Sequence, residues 1–325
     1  MPTFIETCAG AGGLSLGLQK AGWEPLMLND NNKDCCATLK KNHPNVDIRC
    51  CDMQDIDMTP FVDKVDLLAY GAPCQSWSHA GQRQGFEDER GNLFLLLIKL
   101  IKQVRPKIFL IENVKGLLSH NNGESFKYIL HKLEKIGLYK IQYKVLNAVN
   151  YKTPQKRERV FIVGVSDGLD SFKFPEPVTD EKTMILKDFL KDVPESPCAK
   201  YSKAKERLFK MIPQGGCWVD LPEDLQREYL GKSYDTGGGK RGILRRLSMN
   251  EPCLTLLCSP TQKQTERCHP IETRPLSVRE YARIQTFPDS YEFVGSMASQ
   301  YKQIGNAVSV QVAKSMGKAL LKCFD

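Results

Sequence analysis

Short apolar runs alternating with helix-like segments set the rhythm of the first half of this chain. Phe4-Ile5, Pro25 to Leu28, Ile48 to Cys51, Val65 to Tyr70, Lys107 to Ile111 and Val160 to Val163 read as strands. Most are too uniformly apolar to have a wet face, as expected of strands buried on both sides. Between them apolar residues recur at helical spacing: Leu14, Leu16, Leu18 and Ala21, then Leu93 to Arg105, then Ser125 to Ile136. This alternation, from residue 1 to about 165, predicts a parallel sheet covered by helices on both faces. The pattern then breaks. Pro175, Pro177, Pro194 and Pro197 mark an irregular stretch, periodicity stays poor to about Pro275, and glycines cluster at Gly215-Gly216 and Gly237-Gly238-Gly239. A final helical pattern, Val310 to Leu321, is expected to pack back on the sheet.

In such a sheet, ligands sit outside the carboxyl ends of the strands. Those ends carry the reactive residues. The run ending at Tyr70 leads into Ala72-Pro73-Cys74-Gln75 and then a polar, glycine-dotted segment, Ser76 to Asn92, long enough to act as a lid. Pro73 restricts the backbone just before the sulfur. The run ending at Ile111 leads into Glu112-Asn113-Val114, and Val160 is preceded by Gln155-Lys156-Arg157-Glu158-Arg159. A thiol, a carboxyl and guanidinium groups are thus expected in one cleft; for Glu112 the competing reading is an ion pair with Lys107 or Lys115. The first strand runs into Cys8-Ala9-Gly10-Ala11-Gly12-Gly13, a loop that by itself suits either a dinucleotide or S-adenosylmethionine. The second strand ends in Asn29-Asp30, an acid placed to hold ribose hydroxyls.

Taken in order, Pro73-Cys74-Gln75, Gly85-Phe86-Glu87-Asp88, Arg90-Gly91, Glu112-Asn113-Val114, Gln155-x-Arg157-x-Arg159 and Gly305-Asn306-Ala307-Val308 resemble the C5-cytosine DNA methyltransferases of bacterial restriction–modification type. The resemblance covers nearly the whole chain apart from residues 170 to 270. It implies that Cys74 adds to C6 of cytosine, making C5 nucleophilic, since the thiolate is the reactive form. It implies that Glu112 bonds N3 and the exocyclic amine, that Arg159 holds O2, and that Arg157 helps position Cys74 and its loop. S-adenosylmethionine is the implied co-substrate, held by Cys8, Ala9, Gly10, Gly12, Gly13, Asp30, Asn31, Asp52, Met53, Pro73, Leu93, Asn306 and Ala307. Cys8 and Asn31 depart from the family, which usually has aromatic residues there.

The implied fold is α/β, a doubly wound, mostly parallel sheet of the S-adenosylmethionine-dependent methyltransferase type. Residues 1–170 and 274–325 form the catalytic domain, and a smaller irregular target recognition domain, 171–273, is inserted before the carboxyl-terminal helices. The implied partner is double-stranded DNA, with the target base rotated out of the helix. Ser76, Arg90, Lys240, Arg241, Arg245, Thr255, Gln262, Lys263, Gln264 and Arg267 are the residues expected at the DNA, Thr255 lying in the family's Thr-Leu landmark. A tRNA substrate, or a silent DNA-binding protein of the same fold, are the alternatives. A monomer is expected, with a restriction endonuclease as genetic partner.

Composition adds bounds. Net charge is +8, which suits a polyanion. No charged-then-apolar leader opens the chain, and the apolar run Leu93 to Ile98 is cut by Lys99, so neither export nor a membrane span is expected. Twelve cysteines without framework spacing point to a reducing cytoplasm. Cys253, Cys258, Cys268 and His269 lack the close pairs of a zinc site, so no metal is expected. Cys35-Cys36 and Cys50-Cys51 read as packing residues.

Overall fold

The computed structural model of the protein describes residues 1–71, 89–235, 242–263 and 265–325, with residues 89–92 described by backbone alone. Pro73, Cys74, Ser76, Lys240, Arg241, Gln264 and the side chain of Arg90 therefore lie outside the described residues.

The first half alternates as its apolar runs predict: β1 (Thr3–Thr7), α1 (Gly13–Ala21), β2 (Glu24–Asp30), α2 (Lys33–Asn42), β3 (Asp47–Cys50), β4 (Leu67–Gly71), α3 (Glu89–Val104), β5 (Ile108–Val114), α4 (Glu124–Glu134), β6 (Tyr139–Asn147), the short β7 (Gln155–Lys156) and β8 (Glu158–Ser166). A seven-stranded sheet forms in the order β3-β2-β1-β4-β5-β8-β6. The first five strands in that order are mutually parallel, and β8 runs antiparallel between β5 and β6. The chain winds outward from β1 to β3 and then returns to β4 on the other side of β1. The β1/β4 junction is therefore the switch point, where the loops after the two strands diverge and leave a crevice. This geometry brings the glycine loop after β1 and the end of β4 at Gly71 to the same edge.

Two layers cover the sheet. On one face Leu14, Leu18 and Trp23 pack against Ala313, Met316 and Leu320; on the other lie Leu97, Ile101, Phe126, Ile129 and Leu133. β6 is an addition to the sequence expectation. Tyr139, Ile141, Tyr143 and Val145 alternate with polar residues, because this edge strand is only partly covered. α3 begins at Glu89, so Arg90 to Asn92 open a helix and do not belong to the expected lid.

The remaining elements are α5 (Lys203–Met211), α6 (Glu223–Leu230), β9 (Arg245–Arg246), β10 (Cys253–Leu254), β11 (Arg267–Cys268), α7 (Val278–Ile284), α8 (Met297–Asn306) and α9 (Val310–Leu321). The insert has a small core of its own, with Phe209, Ile212, Leu221, Leu244 and Cys268 buried together. Arg246 lies inside: its guanidinium donates to the carbonyls of Phe209 (2.6 Å), Ile212 (2.8 Å) and His269 (3.2 Å). In a core this small, one forked cation satisfies several loop carbonyls that no ladder reaches. β10 pairs with β7, so the stretch from Cys253 joins the catalytic half although it precedes the expected boundary at residue 273. Among the described residues no helix is long and apolar enough to cross a membrane, and no three His, Cys, Asp or Glu side chains gather as a metal site.

Candidate active site

A cavity of about 340 Å³ opens at the switch point. Cys8, Ala9 and Gly10 line it from the loop after β1, Asp30 and Asn31 from the end of β2, and Asp52 and Met53 from the segment after β3. Leu93 of α3 and Asn306 and Ala307 at the end of α8 close it, and Glu112 stands at its inner end. Of the described residues expected around a methyl donor, Gly12 and Gly13 are the exceptions. They work behind the cavity wall: a Cβ on Gly13 would stand 2.2 Å from the Val308 carbonyl oxygen, so a larger residue would push the last motif away.

The loop is held from both ends. Gly10 N–H donates to Asp30 Oδ2 (2.8 Å) and Ala9 N–H to the Asn29 carbonyl (2.8 Å). Tyr291 Oη donates to the Ala11 carbonyl (2.7 Å), across 280 positions of sequence. No local pattern marks Tyr291 for this role, because its partner is far away in the chain. Cys8 takes a left-handed backbone conformation, φ +54°, which costs a non-glycine residue about 1 kcal/mol or more. Burial raises the carboxyl of Asp30 even though Asn32 and Gly10 donate to it. Burial also pushes the thiols of Cys8 and Cys35 up to about 12, so both are protonated apolar walls at neutral pH. Cys35 and Cys36 are packed as expected, whereas Cys50 is exposed at the end of its strand.

At the inner end Glu112 is 5% exposed. β5 and β8 pair with Val114 opposite Arg159 and Glu112 opposite Phe161, which makes Glu112 and Arg159 diagonal neighbours on one face. Arg159 Nε lies 3.1 Å from Glu112 Oε1. Lys107 and Lys115 pair with Asp66 and Glu158 instead. Burial raises the Glu112 carboxyl, opposed by Arg159 and Arg157. A group so placed can hold a proton or share one with a nitrogen base.

Arg157 is 2% exposed. It donates to the carbonyls of Leu256 (3.1 Å), Gly305 (2.9 Å) and Ala307 (3.1 Å). It thus joins the sheet, the returning insert and the last motif at the cavity wall. The sequence expectation placed it beside Cys74, which lies outside the described residues. Gln155, the first residue of the Gln-x-Arg-x-Arg motif, and Gln285, which sequence reasoning missed, extend the clamp: Gln155 accepts from Leu256 N–H (3.0 Å), and Gln285 donates to the Ile304 and Ala307 carbonyls (3.0 Å each). Asn306 accepts from the Cys258 thiol (2.9 Å).

A second, open cleft of about 470 Å³ is lined by Arg159, the ion-pair partner of Glu112. Lys115, Asn147, Lys156 and Thr255 line this cleft, and Thr255 donates to the Lys156 carbonyl (2.7 Å). The expected base readers separate. Gln262 and Lys263 are exposed, Lys263 lying over the Tyr229 ring at 4.4 Å. Arg245 is largely covered and lies 3.6 Å from Glu251. Arg267 is turned inward: it is 6% exposed and donates to the Gly242 (3.3 Å) and Glu266 (2.9 Å) carbonyls. The alternation of β11 decides this: Cys268 faces the insert's own core, so Arg267 faces the other way, toward Cys253 and Tyr281.

Comparison with known proteins agrees with this geometry. The chain is 49% identical over 331 residues to the Type II methyltransferase M.Eco47II of Escherichia coli, covering 99% of this chain and 79% of that protein. It is 48% identical to the Type II methyltransferase M.Sau96I of Staphylococcus aureus, covering 98% and 75%. The crystal structure of S. pombe Dnmt2 methyltransferase matches all of both chains with a TM-score of 0.71 at 17% identity, a likeness of fold. Residues 2–322 match the family described as C-5 cytosine-specific DNA methylase, and the protein belongs to that family.

Proposed function

We propose that the protein transfers a methyl group from S-adenosylmethionine to C5 of a cytosine that has rotated out of a short, specific double-stranded DNA sequence. The observation that carries this reading is one cavity lined both by ribose- and adenine-type acceptors and by Glu112, whose ion-pair partner is Arg159. The donor fits the residues present. Asp30 suits ribose hydroxyls, Asp52 the adenine amine, and Met53 and Leu93 provide apolar walls, while Gly10 lets backbone approach closely. S-adenosylmethionine supplies an electrophilic methyl group when bound.

The chain's own residues would do the rest. The Cys74 thiolate adds to C6, and Glu112 shares its proton with N3 as negative charge develops on the ring. Arg159 keeps Glu112 in place and reaches O2. Once C5 is methylated, its proton leaves to solvent, the C6–sulfur bond breaks and the thiolate is released. The relatives' Type II names support a protective role beside a restriction endonuclease, in the cytoplasm. The purified protein, given donor with a tritiated methyl group, should label duplex DNA at cytosine C5, and bisulfite sequencing should show one short site. Label appearing in tRNA and not in DNA would overturn the proposal.

Site choice is assigned to the insert. Alanine at a residue bonding a guanine edge should cost about 1–3 kcal/mol and relax one position of the site. Alanine at a phosphate contact should weaken binding to all sequences and reduce the salt slope by about 1. Gln262, Lys263, Lys240, Arg241, Arg245 and Gln264 are the residues to scan, scored by sequencing methylated sites and by binding at two salt concentrations. Arg267→Ala should instead lower the unfolding temperature, because its contacts are internal.

A further inference from the structure

The insert carries a buried acid that the proposed reaction does not use. Glu266 immediately precedes β11, and its side chain is fully buried. Register explains its neighbour. Arg267 pairs with Arg245 and Cys268 with Arg246, so one residue earlier Glu266 comes beside Leu244. Its Oε1 accepts from the Leu244 N–H (3.1 Å) and from the Tyr229 hydroxyl of α6 (3.4 Å), and its Oε2 lies 2.6 Å from Lys205 Nζ of α5. Lys205 reaches further and donates to the Thr261 carbonyl (3.2 Å). Lys263 in turn donates to the Tyr229 carbonyl (2.7 Å). One carboxylate thus gathers two helices and both chain segments at which DNA readers are expected, the one leading into Arg245 and the one holding Gln262 and Lys263.

Leu244 has a left-handed backbone, φ +45°, a conformation that a leucine keeps only where its surroundings fix it. Glu266 holds its N–H, and the insert's small core holds its side chain. The β9–β11 ladder has only two residues on each strand, and so short a pairing is marginal by itself. Burial raises the Glu266 carboxyl, and Lys205 opposes that rise. A buried ion pair is a weak way to stabilise a core, because apolar residues of similar volume often do as well; its best-attested use is to fix register.

We propose that Glu266, paired with Lys205, is a positioning residue for site choice: it fixes how the segment ending at Arg245 sits relative to Gln262 and Lys263, and so which short sequence is methylated. This rests on the reading of the insert as the DNA reader. A hydrogen bond to a base edge needs donor and acceptor within about 3.2 Å. Two reading segments that shift against each other therefore lose discrimination before the fold is lost. None of Lys205, Tyr229, Leu244 and Glu266 lines the donor cavity, so donor binding is left alone.

Lys205→Met combined with Glu266→Met keeps the packing volume and removes the hub. Wild type and variant are given an unmethylated plasmid, sampled at partial conversion, and every cytosine is scored by bisulfite sequencing. Preference for the wild-type site over sites differing by one base pair should fall by about tenfold or more, the scale of one mismatched base pair. KM for the plasmid should rise, while donor KM and the thermal midpoint stay close to wild type. Glu266→Gln keeps an acceptor for Leu244 but gives up the ion pair, so its preference should lie between the two. It also answers for the pair if the double variant unfolds. Wild-type preference in Glu266→Gln would overturn the inference. So would a loss shared by plasmid KM, donor KM and thermal midpoint alike, which is what a pair that only stabilises the fold would produce. Gln262→Ala and Arg245→Ala, run alongside, keep the two readings apart. If they relax site choice and the hub variants do not, the positioning inference fails. If no insert variant relaxes it, the reader assignment fails and the inference falls with it.

Discussion

Cys74→Ala should lose methyl transfer by about 10⁴-fold or more, the scale seen when a covalent nucleophile is removed, while binding donor and DNA nearly as well as the wild type. The structure offers no substitute thiol among the described residues of the cavity. Cys8 and Cys35 are held protonated near 12, and burial raises Cys258 as well. Duplex DNA carrying 5-fluorocytosine at the target position should trap the wild type as a one-to-one adduct that survives denaturing electrophoresis. The adduct persists because the fluorine at C5 cannot leave as a proton does, so the C6–sulfur bond has no route to break. Cys74→Ala should form none. Turnover by this variant near the wild-type rate would end the covalent mechanism.

Arg157→Ala should have the second-largest effect, and on stability as much as on activity. Removing the guanidinium takes the Arg157 donor from the Leu256 and Gly305 carbonyls and leaves Ala307 with Gln285 alone. Each buried acceptor abandoned in this way costs about 1–3 kcal/mol, and loss of a buried ionic hub about 3–5 kcal/mol. At about 2.1 cal/mol/K per residue, 3–5 kcal/mol corresponds to a fall of about 4–7 °C in unfolding temperature. The donor KM should rise with it, because Asn306 and Ala307 are cavity wall. Arg157→Lys should recover little, since one ammonium cannot fork toward carbonyls on two separate segments. A thermal scan and a donor KM both unchanged in Arg157→Ala would show that the clamp is dispensable.

The two variants separate what the sequence could and could not tell. Cys74 and Glu112 are legible because each follows an apolar run, and a strand buried on both faces announces itself locally. The parallel half of the sheet, with its switch point, follows from the same alternation. β6 escaped notice because an edge strand mixes lysines with tyrosines and resembles surface. Arg157 is singled out by its motif, but its described contacts lie 99 to 150 positions away. Arg246 and Arg267 look like DNA-binding cations in one dimension and prove to be internal.

Residue identity and order were enough to establish the family, because its motifs each lie within a few positions of a strand end. Burial and charge balance were decided in three dimensions. Whether Arg267 meets solvent and which loop Tyr291 holds both depend on strands and helices that meet only after folding. Ionisation and exposure are properties of an environment, and here that environment is assembled from residues separated by most of the chain.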